Sequence, residues 1–249
     1  MDIRLKYYLQ IADNALILSH RLGEVVSQGP YLEEDIANTN VALDLIGMAE
    51  SVYEQAAIIE DKGRTGDDLV YRRSEHEFFN VNLVEQPNKD FAYILVRQFL
   101  MDAFHVYFLT ELTKSKDEFL SAVAIKSLKE VTYHLRRSSE WMIRLGDGTP
   151  EAAEKTKIAI ANLWKFKFEL FKENETDIAM KENGEGVDLM KVEKMWRQKV
   201  REVFYIAHLE IPEGEFIVGQ GKSGHHTEYL GKVLAEMQFL PMNYPDAIW

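Results

Sequence analysis

With 249 residues, 46% of them apolar, the chain can bury a sizeable core, and its lack of cysteine excludes disulfides, cysteine-ligated zinc, iron–sulfur clusters and thiol catalysis. A formal net charge of −12 argues against nucleic acid or anionic lipid as a partner, and a polyanionic cofactor would need a local basic patch here or on another chain. The first residues lack the basic-then-apolar pattern of a signal peptide, and no apolar run is long enough to span a bilayer, so the expected location is cytoplasmic.

In chain order, the first helical segment is expected over about 5–26, with Leu5, Tyr8, Leu9, Ala12 and Leu16 as its apolar stripe. A second runs over 32–60, carrying Val41, Leu45, Met48, Val52 and Ala56. The stretch Lys62–Asn88 has no helical period and forms a long crossover, the kind of connection that is usually functional or an interface. A third helix follows over about 89–113, with Phe91, Leu95, Phe108 and Leu112. Ser115-Lys116-Asp117-Glu118 reads as a capping box opening a fourth, which Gly146 and Gly148 end. Thr149 and Pro150 suit the N-cap and first position of a fifth, with the stripe Ile160, Trp164, Phe168 and Phe171. A sixth is expected over about 189–207 and a seventh over about 227–239. All six prolines lie at the edges of these segments or between them, where none breaks a helix. No alternation of period two supports a sheet. The reading is all-α: one domain, 1–249, with a four-helix core over about 4–146 and further helices over about 149–240. Two short links and one long crossover is the connectivity of ferritin-like bundles.

Such a bundle raises the question of a di-iron centre, built from one Glu on each of two helices and a Glu-x-x-His on each of the others. Each core helix offers a carboxylate near its inner face: Asp13, Asp44, Asp102 and Glu130. His105 stands three residues after Asp102, on the same face. The rest of the set is damaged. Gly47 occupies the slot three after Asp44, and Tyr133 the slot three after Glu130, leaving His134 one residue out of register. Four buried acids without metal need cations, for which Arg97, Arg136 and Arg137 are candidates. Three readings compete: a buried ion-pair and hydrogen-bond network, a working di-iron site, and a mononuclear or vestigial one. His20 reads as a satisfied helix-face residue. His225 and His226, being adjacent, should point apart. Gly219, Gly221 and Gly224 with Lys222 could cradle a phosphate, but no strand precedes them, so a glycine-rich turn is the simpler account.

Several strings resemble one family. They are Ala12-Asp13-Asn14, Leu18 through Glu24, Ala42 through Gly47, Leu83 through Asn88, Arg97-Gln98-Phe99, Asp102 through Val106, Tyr133 through Arg136, His226 through Gly231 and Leu234 through Gln238. Nearly the whole chain resembles the structural, ferritin-like subunits of multicomponent phenylacetyl-CoA epoxidases. The resemblance implies a ferritin-like fold and a non-catalytic, structural role with no metal or cofactor of its own. It implies pairing with a related catalytic subunit that carries the di-iron centre, and membership of a complex with other subunits and an NADPH-dependent reductase. That complex inserts one oxygen atom of O₂ into the ring of phenylacetyl-CoA. It also implies acyl-CoA contacts, made together with the partner, at Glu77-Phe78-Phe79-Asn80 and Ile178-Ala179-Met180, although Glu77 and Phe79 depart from the residues usual there. Asp13, Asp44, Gly47, Asp102, His105, Glu130 and His134 would then be vestigial metal-site positions. A ferritin-like oxygenase or oxidase active by itself, and a helical interaction protein outside oxygenation, are the competing classes.

Overall fold

The structure, a computed structural model, describes residues 1–214, 219–245 and 247. Among these, all regular structure is helical. Four long helices form the bundle: α1 (Ile3–Gly23), α2 (Leu32–Glu60), α4 (Phe91–Leu112) and α5 (Glu118–Gly146). The crossover between α2 and α4 holds α3 (Gly66–Tyr71) and a 3₁₀ turn at Glu75–Glu77. α1 packs along α2, α4 along α5, and α2 meets α5, as expected of a ferritin-like bundle.

Local chemistry accounts for the helix ends. Asp2 caps α1 by accepting from the Leu5 N–H at 3.0 Å, and Asp90 caps α4 through the Tyr93 N–H at 2.8 Å. Helix α2 starts with Glu33, Glu34 and Asp35 at its positive end and stops at Asp61, whose φ of 52° is left-handed. The cap of α5 is Asp117, not the expected Ser115 box: its carboxylate accepts from the Phe119 and Leu120 N–H groups, while Ser115 Oγ accepts from Asp117 N–H. An aspartate nearer the helix outcompetes a serine two residues upstream.

The expected fifth helix is broken. Thr149 and Pro150 open α6 (Pro150–Leu163) as anticipated, but Trp164–Phe166 tighten into a 3₁₀ turn before α7 (Lys167–Phe171). This bend turns Trp164 onto Trp196, with ring centroids 5.7 Å apart. Helix α8 (Glu175–Asn183) was not anticipated. Helices α9 (Leu189–Ile206) and α10 (Glu228–Met237) fall where the sixth and seventh were expected, and α11 (Phe239–Asn243) follows. α6 and α9 pack on α4, where the Trp196 indole N–H donates to Leu100 O at 2.9 Å, and α8 packs on α1. Buried apolar side chains form one contiguous cluster from Leu5 to Leu234. Among the described residues no helix is long and apolar enough to cross a membrane.

Candidate functional site

The crossover is far from a loose loop. From Phe78 to Glu85 every side chain is buried, so its backbone groups must find partners inside the chain. Much of that partnering comes from α1. Asp13, fully buried, accepts from the Phe79 N–H at 2.7 Å, and Asn14 Oδ1 accepts from the Val81 N–H at 2.8 Å. Arg21 donates to Glu85 O and Tyr229 O, and so ties α1 to both the crossover and α10.

Asp13 therefore does not face a would-be metal. Its carboxylate is clamped by Arg73 Nη2 at 2.5 Å and Nη1 at 3.2 Å, and by the Tyr53 hydroxyl. The Arg73 guanidinium in turn lies 4.0 Å from the centre of the Phe78 ring. Burial and the Asp13 charge hold the Tyr53 phenol well above its ordinary range, so it stays a donor.

The remaining positions gather between α2, α4 and α5. His134 Nε2 lies 2.9 Å from Asp44 Oδ2 and joins α5 to α2. Asp102 accepts from Gln98 Nε2 at 2.6 Å, and burial pushes its carboxyl up to about 6 despite the nearby His134, Ser138, Gln98 and Arg137. Burial pushes the His105 imidazole down to about 4, and His134 adds to the effect, so His105 is neutral near pH 7. Burial and the charge of Asp44 raise Glu130. Gly47, one turn beyond Asp44, is not required by packing: a Cβ there would meet nothing within 4 Å. Tyr133 points outward and is 52% exposed. Among the described residues no three of His, Asp and Glu converge so as to hold a metal ion.

Of the three expected cation partners, only Arg137 serves. It reaches Glu34 at 2.5 Å and Asn38 at 3.0 Å, and its charge is felt at Asp102. Arg136 is exposed and pairs with Glu140. Arg97 binds Gln86 O and Asn88 Oδ1 at the end of the crossover, and burial with Arg21 nearby lowers it to about 10. Arg73, the cation that does neutralise a core acid, lay in the non-periodic stretch and was missed.

The glycine-rich turn holds an anion, but an internal one. The Glu169 carboxylate accepts from Asn82 N–H at 2.7 Å and Lys222 N–H at 3.1 Å. Burial still raises it above the usual carboxylate range. A Cβ on Gly221 would collide with Asn80 O, which is why this position admits only glycine. His225 and His226 do point apart. His226 Nε2 meets Phe78 O at 2.9 Å and its Nδ1 lies 3.6 Å from Glu85, whereas His225 contributes its carbonyl, which accepts from Asn82 Nδ2. His20 is not satisfied as expected: its Nε2 is buried and has no partner among the described residues.

The two segments expected to face acyl-CoA are joined through this turn. Gly221 packs on Asn80, and Lys222 Nζ binds Asp177 Oδ2 of α8 at 2.6 Å, beside Ile178. Their side chains divide into two groups. Glu77 and Ile178 are exposed and Ala179 is half-buried, while Phe78, Phe79, Asn80 and Met180 are closed within the chain. Phe78 and Asn80 are 0% exposed, so their side chains serve the crossover rather than a ligand outside it. Lys6 Nζ lies over the Phe79 ring at 4.9 Å.

Residues 2–249 match the family described as phenylacetic acid catabolic protein. The chain belongs to that family. Within the curated proteins it is 42% identical over 243 residues to the C subunit of the 1,2-phenylacetyl-CoA epoxidase of Escherichia coli (strain K12), covering 98% of both chains. The strings that suggested the resemblance extend across all four core helices and α10, consistent with a match over nearly the full length of this family member.

Proposed function

We propose that this chain is the non-catalytic, structural subunit of a phenylacetyl-CoA epoxidase, acting in the cytoplasm to support a homologous subunit that carries the di-iron centre. Electrons from NADPH would reach that centre through a separate reductase. The observation that carries the reading is the fate of the nitrogen ligands. Gly47 has no donor where space exists for one, and His134 is committed to Asp44 at 2.9 Å. Asp13, the fourth carboxylate, serves the crossover instead. What remains is a set of polar contacts that hold helices together and leave the redox chemistry to another chain. The relative is named as one subunit of an epoxidase, which supports a multisubunit setting.

In this reading the exposed side chains of Glu77 and Ile178 lie near the acyl-CoA bound by the partner. Reconstitution from purified subunits, reductase, NADPH and phenylacetyl-CoA tests it. The catalytic subunit is expected to be poorly soluble or inactive alone and to turn over when this chain is present. Equal folding and turnover without this chain would overturn the proposal. Within the active complex, Ile178→Ala, at an exposed side chain, is expected to raise KM more than it lowers kcat and to leave the melting temperature nearly unchanged. Phe78→Ala is instead expected to cost about 3–5 kcal/mol of stability.

A further inference from the structure

Gln10 sits on α1, 4% exposed, and neither its Oε1 nor its Nε2 has a hydrogen-bond partner among the described residues. His105 on α4 is also 4% exposed, and its Nδ1 is unpartnered in the same sense. Both side chains border one cavity, walled by α1, α4, Met48 of α2, and the Asp177–Lys222 pair. About 30 Å³ of this cavity is open to the centres of water molecules.

A primary amide taken out of water and given nothing in return is costly, and folded chains keep such groups few. Gln10 could have avoided the cost by being leucine or methionine, as its neighbours Leu9 and Ile11 are apolar. One water needs about 10–15 Å³ of such space and two to four polar partners. The cavity exceeds that size, Gln10 offers a donor and an acceptor, and His105 offers a ring nitrogen. The space is far below the several hundred Å³ of an organic ligand site. An apolar gas would fill it but leave the amide unpaired. Asp177 and Lys222 already satisfy each other at 2.6 Å and do not compete for the amide.

We propose that this cavity is an internal hydration site, in which about two ordered waters bind the Gln10 amide and the His105 imidazole. The waters fill the gap between α1 and α4 at the level where the acids of α2, α4 and α5 gather, and complete a polar layer that the side chains alone leave open. The hydration site stands whether or not the chain serves an epoxidase.

A crystal structure of the full chain that shows ordered solvent is the direct test. Density peaks within hydrogen-bond distance of the Gln10 amide and of His105 Nδ1 are expected. An ordered Gln10 and His105 with no peak between them, or a rearranged Gln10 paired directly to protein, overturns the proposal. Gln10→Met, which keeps the length and removes both polar atoms, gives a second reading. Its melting temperature is expected to equal or fall below that of the wild type, because the waters lose their main host. A clear rise would mean that the amide had been buried dry, and would overturn the proposal.

Discussion

Asp13→Asn removes the negative charge from an ion pair enclosed within the chain. The Asp13 side chain is 0% exposed and that of Arg73 2%, and the two meet at 2.5 Å. Asparagine keeps the shape and can still accept from the Phe79 N–H, so the substitution isolates the charge. It leaves the Arg73 guanidinium inside the chain among Tyr53, the Phe78 ring and carbonyl oxygens, without its bonded carboxylate. Breaking a buried pair from one side costs about 3–5 kcal/mol, largely from the stranded partner. In a domain of this size each kcal/mol moves the thermal midpoint by about 2–4 °C, so the expected fall is about 6–20 °C. Far-ultraviolet circular dichroism during heating measures it. Adding Arg73→Met removes the stranded cation, and the double variant is expected to recover part of the loss. A single variant melting within about 2 °C of the wild type, or a double variant no better than the sum of its parts, would refute the clamp.

Other outcomes follow from the same contacts. Burial alone would lower His226, but Glu85 and the Phe78 carbonyl outweigh it and raise the imidazole. Its stabilisation is therefore full below the unfolded value of about 6.5 and is lost as pH rises through the higher folded value. Denaturant titrations of wild type and His226→Gln should converge as pH rises across that window, and parallel curves would contradict the pair. Asp102, raised to about 6, costs stability when ionised. Asp102→Asn is expected to be more stable than wild type at about pH 8, by up to about 3 kcal/mol, with the advantage fading as pH falls through 6 toward 4. An Asp102→Asn chain that is less stable at about pH 8 would show the carboxylate to be better solvated than its burial implies. Asp44→Ala is expected to shift stability by no more than about 1 kcal/mol, because its carboxylate is 37% exposed and the pair with His134 is screened. Chelator-washed protein is expected to hold no stoichiometric iron by elemental analysis, whereas two irons per chain would reverse the functional reading.

The frame of the fold was legible and its closure was not. Helix α2 could be placed over Leu32–Glu60 because its period is long and its first turn is acidic. The damage at Gly47 and His134 is a matter of spacing, which a sequence displays directly. Asp13 was misplaced for a physical reason. Helix α1 is buried on nearly every side from Leu5 to Leu22, so no single face marks its interior direction. Arg73 was missed because its partner is 60 residues away and its own segment has no period. The 3₁₀ break at Trp164–Phe166 hides inside an apolar spacing that a straight helix would share. Neighbouring arginines at 72 and 73 in an otherwise non-periodic stretch of a strongly acidic chain were the available hint, and burial of the crossover would have given it meaning.

Synthesis from the N-terminus adds a consequence for the crossover. All four long helices are complete before the ribosome has made the residues that fasten this segment. Asn82 bonds to His225, 143 residues later, and Arg21 to Tyr229, 208 residues later. A nascent or truncated chain ending before Gly219 would thus own the whole helical frame but lack the turn that holds Asn80, Asn82 and Glu169 in place. Pairings of such long sequence separation form late and leave sticky surface exposed while they wait. Once this turn has been made the crossover is fastened, and a chain that stops short of it keeps the helical frame with that segment loose.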